Sequence, residues 1–369
     1  MPATAKHDTI EGQLTGQSLM KGDGRYDDHA EVQRRAGSSG LALLAAAAQR
    51  LVLPTDGRPL VVVDYGSATG RNSAKPVRTI VDTVRRRAAN VPFVIYHNDQ
   101  PANDFSSLFG WLAGPHSYLH DIDGGFAYAS GKSFYEQLFP DEYVDIGWSA
   151  NAAHWLSRVP CAIVDHLCYW RGTPGLDKPF RAQAAEDWRA FFEHRARELR
   201  VGGHLVVVVV RVDDERRSGG DHFVDVINEA LVDLLSVGKL RRHEYDRMSI
   251  ATYFRTVDEI EAPFRNRSVS RALTLEAHKQ TVLRDPIGDE YEATGDAAAF
   301  AAAYTGWLRG FSEPSLIGAL DPGRPREEVV TFARELYDNV STRVAREPAK
   351  LRCNWKLSQL LVTKHVRAL

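Results

Sequence analysis

Cysteine is scarce. The three present, Cys161, Cys168 and Cys353, are too few and too scattered for a disulfide framework, which fits a reducing compartment. Long apolar runs are missing too. The run at residues 205–210 is far too short to span a bilayer, and residues 1–17 hold no apolar core of a secretory signal. A cytoplasmic protein is expected. Neither sign of charge dominates: 46 Lys and Arg stand against 48 Asp and Glu, a formal net charge of -2. That leaves no basic field to hold nucleic acid or an anionic membrane. The arginine clusters at 85–87 and 241–242 have acidic residues in the surrounding sequence and read as solvated faces. Two phosphate signatures are absent as well. The glycine turn at 66–70 lacks the middle glycine of G-x-G-x-x-G and the Gly-Lys-Ser/Thr of a P-loop.

What is present is an ordinary globular composition, 44% hydrophobic and 25% charged, in a chain long enough to bury a large core without disulfide or metal staples. Strands are predicted at about 60–64, 93–97, within 116–132, at 143–148 and at 204–211. Helices are predicted at 41–51, 73–89, 103–112 and 182–200. This alternation implies a parallel, doubly wound α/β sheet. Beyond residue 213 the pattern turns mainly helical, with helices near 222–237, 296–310 and 326–345 and strands near 268–282 and 353–363. The expected organisation is a loose stretch at 1–18 and an α/β core at 19–212 whose first part, 19–40, forms a lid. A mainly helical cap over 213–345 and a return to the core sheet at 346–369 complete it.

The richest stretch is Val61-Val62-Val63-Asp64-Tyr65-Gly66-Ser67-Ala68-Thr69-Gly70-Arg71-Asn72. A β-branched run ends in an acid, then in a small-residue turn that lets the backbone approach a ligand. A ligand without phosphates but with an amino-acid end suits this turn better than a dinucleotide, and S-adenosylmethionine is such a ligand. Asp64 can meet its ammonium, and Asp99 at the end of the second strand can accept both ribose hydroxyls. Ser133-Phe134 precedes the fourth strand, where an aromatic ring can stack on adenine.

Several ordered motifs then carry a family resemblance. Met20-Lys21-Gly22, Tyr26 with Gln33 seven residues on, the Asp64 to Asn72 loop, Asn98-Asp99-Gln100-Pro101-Ala102-Asn103-Asp104-Phe105, Ser133-Phe134-Tyr135 with Leu138-Phe139-Pro140, and His154-Trp155-Leu156-Ser157 with Val159-Pro160 follow one another. Asp187, Phe191-Phe192, Arg195, Glu198-Leu199 and Gly202-Gly203 close the series. Together they resemble the SABATH methyltransferases, which methylate small carboxylic acids or ring nitrogens. The resemblance thins after residue 213, where Tyr253, Arg309 and Glu313-Pro314 support it. It implies a Rossmann-like class I methyltransferase sheet with a mostly helical cap, a homodimer, and a member of bacterial type. It also implies that Lys21, Tyr26, Asp64, Gly66, Asn72, Asp99, Gln100, Ser133 and Phe134 surround S-adenosylmethionine, and that Gln33 and Trp155 bind the acceptor carboxylate.

A carboxylate is ionised at pH 7, so its methylation by in-line displacement needs alignment and exclusion of water but no general base. Gln33 and Trp155 offer neutral N–H donors that hold a carboxylate without quenching it. His154 is ambiguous: a hydrogen-bonding group, a base toward a phenol or ring N–H, or a packed histidine. Asn151 stands four residues before Trp155, where carboxyl-methylating members of the family carry Tyr, and Trp148 is a candidate replacement wall. Tyr253, Trp307, Leu308, Phe311 and Phe223 are the further candidates for the acceptor pocket. His166 and Cys168 match no zinc spacing, and no metal is expected. The leading expectation is a carboxyl O-methyltransferase acting on a small hydrophobic or aromatic acid. The alternatives are an N- or phenol-O-methyltransferase of a heteroaromatic metabolite and a catalytically silent ligand-binding protein. A nucleic-acid methyltransferase is disfavoured by the charge and by the absence of an Asn/Asp-Pro-Pro-Tyr motif after the fourth strand, which ends Gly147-Trp148-Ser149-Ala150.

Overall fold

The computed structural model describes residues 30–365. Its frame is one seven-stranded sheet in the order β3-β2-β1-β4-β5-β7-β6. β1 (Leu60–Tyr65), β2 (Phe93–Asp99), β3 (Gly125–Gly131), β4 (Val144–Ala150) and β5 (Leu199–Val210) run parallel; β7 (Trp355–Lys364) runs antiparallel between β5 and β6 (Leu273–Leu283). Every residue of β1 is buried, as a strand covered on both faces requires. Val61, Val63 and Tyr65 pack with Trp188, Phe191 and Phe192 on one face. Leu60 and Val62 pack with Leu44, Ile80 and Val84 on the other.

α1 (Glu31–Ser38), α2 (Leu41–Arg50), α3 (Ala74–Arg85) and α4 (Phe105–Ala113) precede or alternate with the first strands. α3 shows why: Val77, Ile80, Val81 and Val84 recur at helical spacing and are all buried. α5 (Asp177–Glu198) leads directly into β5. Gly202-Gly203, which fall between the predicted helix and strand, lie instead inside that strand. Gly202 sits at φ +76° next to a register shift between β4 and β5, so the glycines make a bulge rather than an end.

The segment read as one cap divides in two. α6 (Asp225–Ser236), α7 (Arg242–Tyr245), α10 (Pro286–Thr294), α11 (Ala297–Gly318) and α12 (Arg326–Arg346) are its helices away from the sheet, and residues of α6, α11 and α12 share one apolar core that also takes in Val32 and Ala36 of α1. Between them, Ile260 of α8 (Val257–Arg265) packs with the sheet core at Trp188 and Phe192. The short α9 (Arg267–Ser270) then enters β6 on the sheet edge. Among the described residues no helix is long and apolar enough to cross a membrane.

Candidate active site

Strand order reverses between β1 and its neighbours β2 and β4, and that switch point at the carboxyl ends of the strands is where α/β sheets open a crevice. The turn after β1 fills it. Gly66 lies at φ +89°, and a Cβ there would stand 2.3 Å from the Cβ of Ala152. The amides of Gly66 and Ser67 both donate to the Asn98 carbonyl at 2.9 Å, and the Ala68 amide donates to the Asp99 carboxylate at 2.7 Å. The loop is therefore strapped to the end of β2.

Two clefts meet at this edge. The first, about 1050 Å³ and partly open to solvent, is lined by Asp64, Gly66, Ser67, Asn72 and Trp148 from the sheet side and by Gln33 and Gly37 from α1. Burial raises the Asp64 carboxyl to about 7; the Ser73 hydroxyl, which donates to it, opposes the rise and the charge of Asp99 adds to it. A buried carboxyl so destabilised as an anion is a natural partner for an incoming cation, such as the ammonium of an amino-acid ligand. With the room left by Gly66, that chemistry fits S-adenosylmethionine. Asp99, also raised by burial, accepts from the amides of Ala68 and Gln100. Phe134 is buried against Phe191, with its ring edge 3.7 Å from where a Gly66 Cβ would be. Ser133 accepts from the Tyr135 amide. Thus Asp64, Gly66 and Asn72 line the cleft, whereas Asp99, Gln100, Ser133 and Phe134 lie outside its lining. Lys21 and Tyr26 fall outside the described residues.

The second cleft, about 620 Å³, is walled by Trp155, Phe223, Phe254, Trp307, Phe311 and Trp355, with Gln33, Asn151, His154 and Thr252 as polar members. Among the described residues, no lining residue is an acid, lysine or arginine. Gln33 and Asn151 line both clefts and so mark their junction. Trp155 is held through its backbone: its carbonyl accepts from the Tyr135 hydroxyl at 2.5 Å, and its strand bridges to Thr252. The following Ser157 is clamped by Asp187 through its amide at 2.8 Å and its hydroxyl at 2.6 Å. His154 is 8% exposed, and burial together with the positive charge of Arg255 drives its imidazole down to about 3. It is neutral and a feeble base.

The structure corrects three sequence expectations. Trp148 does not wall the second cleft; it lies under the α1–α2 turn, where a Cβ on Gly40 would come within 3.0 Å of its ring. Tyr253 points the other way, stacked on Tyr169 at 5.3 Å with its hydroxyl donating to Glu259 at 2.8 Å. Extended chain alternates sides, so Thr252 and Phe254 take the pocket positions and were missed. Leu308 is fully buried in the cap core, whereas Trp307 and Phe311, one helical turn apart, share the pocket face. Asn151, expected among the acceptor contacts, does line the second cleft, and its side-chain amide also donates to the Gln33 carbonyl at 2.9 Å from a left-handed conformation, φ +56°. Trp355 also escaped notice, because it comes from the far end of the chain with no local motif. A third grouping, His243, Glu244 and Asp321 on the cap, could hold a metal by distance alone, but arginines 241, 247 and 324 already bind those carboxylates.

The family model for SAM dependent carboxyl methyltransferases matches residues 16–353. "Methyltransferase LUC1" of a Fusarium species is 28% identical over 306 residues, 78% of this chain and 80% of that protein. "Gibberellic acid methyltransferase 2" of Arabidopsis thaliana is 25% identical over 375 residues, 94% and 93% of the two chains. "3,7-dimethylxanthine N-methyltransferase 1" of Coffea arabica is 25% identical, covering 82% and 88%. These relatives are fungal and plant, which gives the expected bacterial type no support. A solved structure of "Loganic acid methyltransferase with SAH" superposes with a TM-score of 0.76 at 20% identity, over 94% of this chain and 99% of that one. The fold is the Rossmann-like methyltransferase fold.

Proposed function

The chain belongs to the family of S-adenosylmethionine-dependent carboxyl methyltransferases, and on that premise we propose that it makes the methyl ester of a small, largely apolar carboxylic acid. It is an S-adenosylmethionine-dependent methyltransferase, which removes the silent binding protein from consideration. The bound sulfonium supplies an electrophilic methyl group. Asp64 would hold its ammonium, the Gly66 turn would lie against it, and Asp99 and Phe134 would take ribose and adenine. Gln33 and Trp155 would fix the acceptor carboxylate at the junction of the two clefts, and the aromatic walls would exclude water. Orientation of this kind can supply roughly 7–11 kcal/mol of the barrier in favourable cases.

The observation that carries the reading is Gln33, a neutral donor shared by both clefts, next to an acceptor cleft that no charged residue lines among the described residues. A carboxylate reacts there without a base, and the feebly basic His154 suits that chemistry better than deprotonation of a phenol or ring N–H. The second reading, N- or phenol-O-methylation, draws on the unpartnered Nδ1 of His154, which can meet a ring N–H or hydroxyl. Transfer of labelled methyl to a panel of aromatic and aliphatic acids tests both, scoring base-labile volatile product. Base-labile counts are expected. Base-stable product from heteroaromatic or phenolic acceptors alone would replace the first reading by the second.

A further inference from the structure

The acceptor cleft holds more unmet polarity than one carboxylate uses. Four of its lining residues bear a buried side-chain nitrogen or oxygen with no hydrogen-bond partner among the described residues: Oε1 of Gln33, Nδ1 of His154, Oγ1 of Thr252 and Nε1 of Trp355. Native proteins satisfy nearly all such atoms, and those that stay unmet ask for an explanation. Gln33 belongs to the junction with the cofactor cleft. In the function proposed above, Thr252 and Trp355 take no part in holding the reacting carboxylate.

Trp355 is set there by construction. It opens β7, which runs antiparallel, so its first residue lies at the sheet edge where the parallel strands end. Its indole rests on Gly220, where a Cβ would stand 2.6 Å from the ring. The preceding Gly219, at φ +92°, leaves equally little room against the Asn354 carbonyl. Phe223 at 5.2 Å and Phe254 at 5.9 Å hold the ring from two sides. An indole N–H only donates, so its partner must carry a lone pair; the Thr252 hydroxyl can donate or accept, and neutral imidazole does one at each nitrogen.

We infer that the acceptor carries a second polar group remote from the methylated atom, a hydroxyl or carbonyl on its apolar skeleton, and that Trp355, Thr252 and His154 recognise it. The inference rests on the function proposed above only for which end of the acceptor reacts. A site built to pair a substrate hydroxyl rejects the analogue lacking it, because its own polar groups are then left unpaired.

The test compares matched ligands that differ by one hydroxyl. In the acid series, 2-naphthoate is set against its 5-, 6- and 7-hydroxy derivatives; in the neutral series, 2-naphthol is set against 2,6-dihydroxynaphthalene. Both kcat/KM for methyl transfer and calorimetric Kd on protein loaded with S-adenosylhomocysteine are measured. The wild type is expected to favour at least one hydroxylated member by about tenfold or more, chiefly through KM or Kd. Thr252→Val and Trp355→Phe should each bring that ratio to within about threefold of unity. The ratio is taken within one protein, so a loss of folded fraction cancels. A merely structural role would lower both members equally and leave the ratio intact. Binding preference without ester formation would sink the carboxyl reading and uphold this one. No preference in either series, or a preference untouched by both substitutions, overturns it.

Discussion

Asp64 shows how one buried side chain sets two opposing demands. Its carboxyl rises from 3.8 to about 7, chiefly by burial. A carboxyl raised in the folded state stabilises it below the unfolded value, and that contribution is lost as pH climbs from about 4 to about 7. The ligand-free protein should therefore lose Tm across that window, and Asp64→Asn should flatten the loss, as differential scanning fluorimetry would show. The same anion serves an ammonium, so the Kd for S-adenosylhomocysteine is expected to tighten up to about tenfold per pH unit below 7 and to level off above it. Asp64→Asn should weaken binding and abolish the trend; a flat pH profile in the wild type would refute the ammonium role. At the acceptor, Gln33→Leu and Trp155→Phe each remove one neutral donor to a charged group, worth about a tenfold to hundredfold fall in kcat/KM. Trp155→Phe should leave the cofactor Kd alone, because Trp155 lines only the acceptor cleft. Asp64, Gly66 and Asn72 were legible in the sequence because a strand, an acid and a glycine turn are contiguous. The electrostatic cost at Asp64 was not legible, because burial comes from distant chain.

Phase along an element decided which candidates reach the pocket. Residues 252–254 alternate sides and α11 presents 307 and 311 together, so a misreading by one residue exchanges pocket for core. Leu308→Ala is accordingly expected to cost about 2–5 kcal/mol of stability by leaving a cavity, read by chemical denaturation. Tyr253→Phe removes the hydroxyl's bonds to Glu259 and Arg181, and acceptor KM should stay within about twofold of wild type, since Tyr253 faces away from the cleft. Asn151 acts on an element as well as lining the acceptor cleft. Its side chain ties the Gln33 carbonyl of α1 to the β4 loop, and its left-handed backbone suits asparagine better than most residues. Asn151→Ala should lower stability by about 1–3 kcal/mol and raise acceptor KM, through looser placement of Gln33. An unchanged KM would detach α1 from acceptor binding. The helix α8 was missed although its signal is in the sequence: Thr256 and Glu259 form a reciprocal capping box. Its short length and the internal Pro263 hid it.

Across the whole molecule, the sheet and the functional loops are joined by one buried ion pair. Arg195 and Glu198 are fully buried. Arg195 donates to the carbonyls of Phe134 at 2.8 Å and Glu136 at 2.9 Å, while Glu198 accepts from the Leu138 amide at 2.6 Å and the Tyr65 hydroxyl at 3.2 Å. The pair thus binds α5, β1 and the loop bearing Phe134 into one body. Arg195→Met strands a buried carboxylate and should cost about 3–5 kcal/mol, with weaker cofactor binding as the loop loosens. Equal stability of the variant would show that the loop holds without the pair. The sequence by itself determined the strands, most helices and the order of motifs, because hydrophobic period, glycine turns and acids at strand ends act over a few neighbouring residues. It also carried the family. Only the tertiary structure decided that β7 from the end of the chain wedges between β5 and β6, delivering Trp355 to a cleft begun by Gln33. It likewise decided which polar atoms are left unpaired there. Burial, pKa and pocket lining are sums over segments far apart in the chain, and local pattern holds no record of those sums.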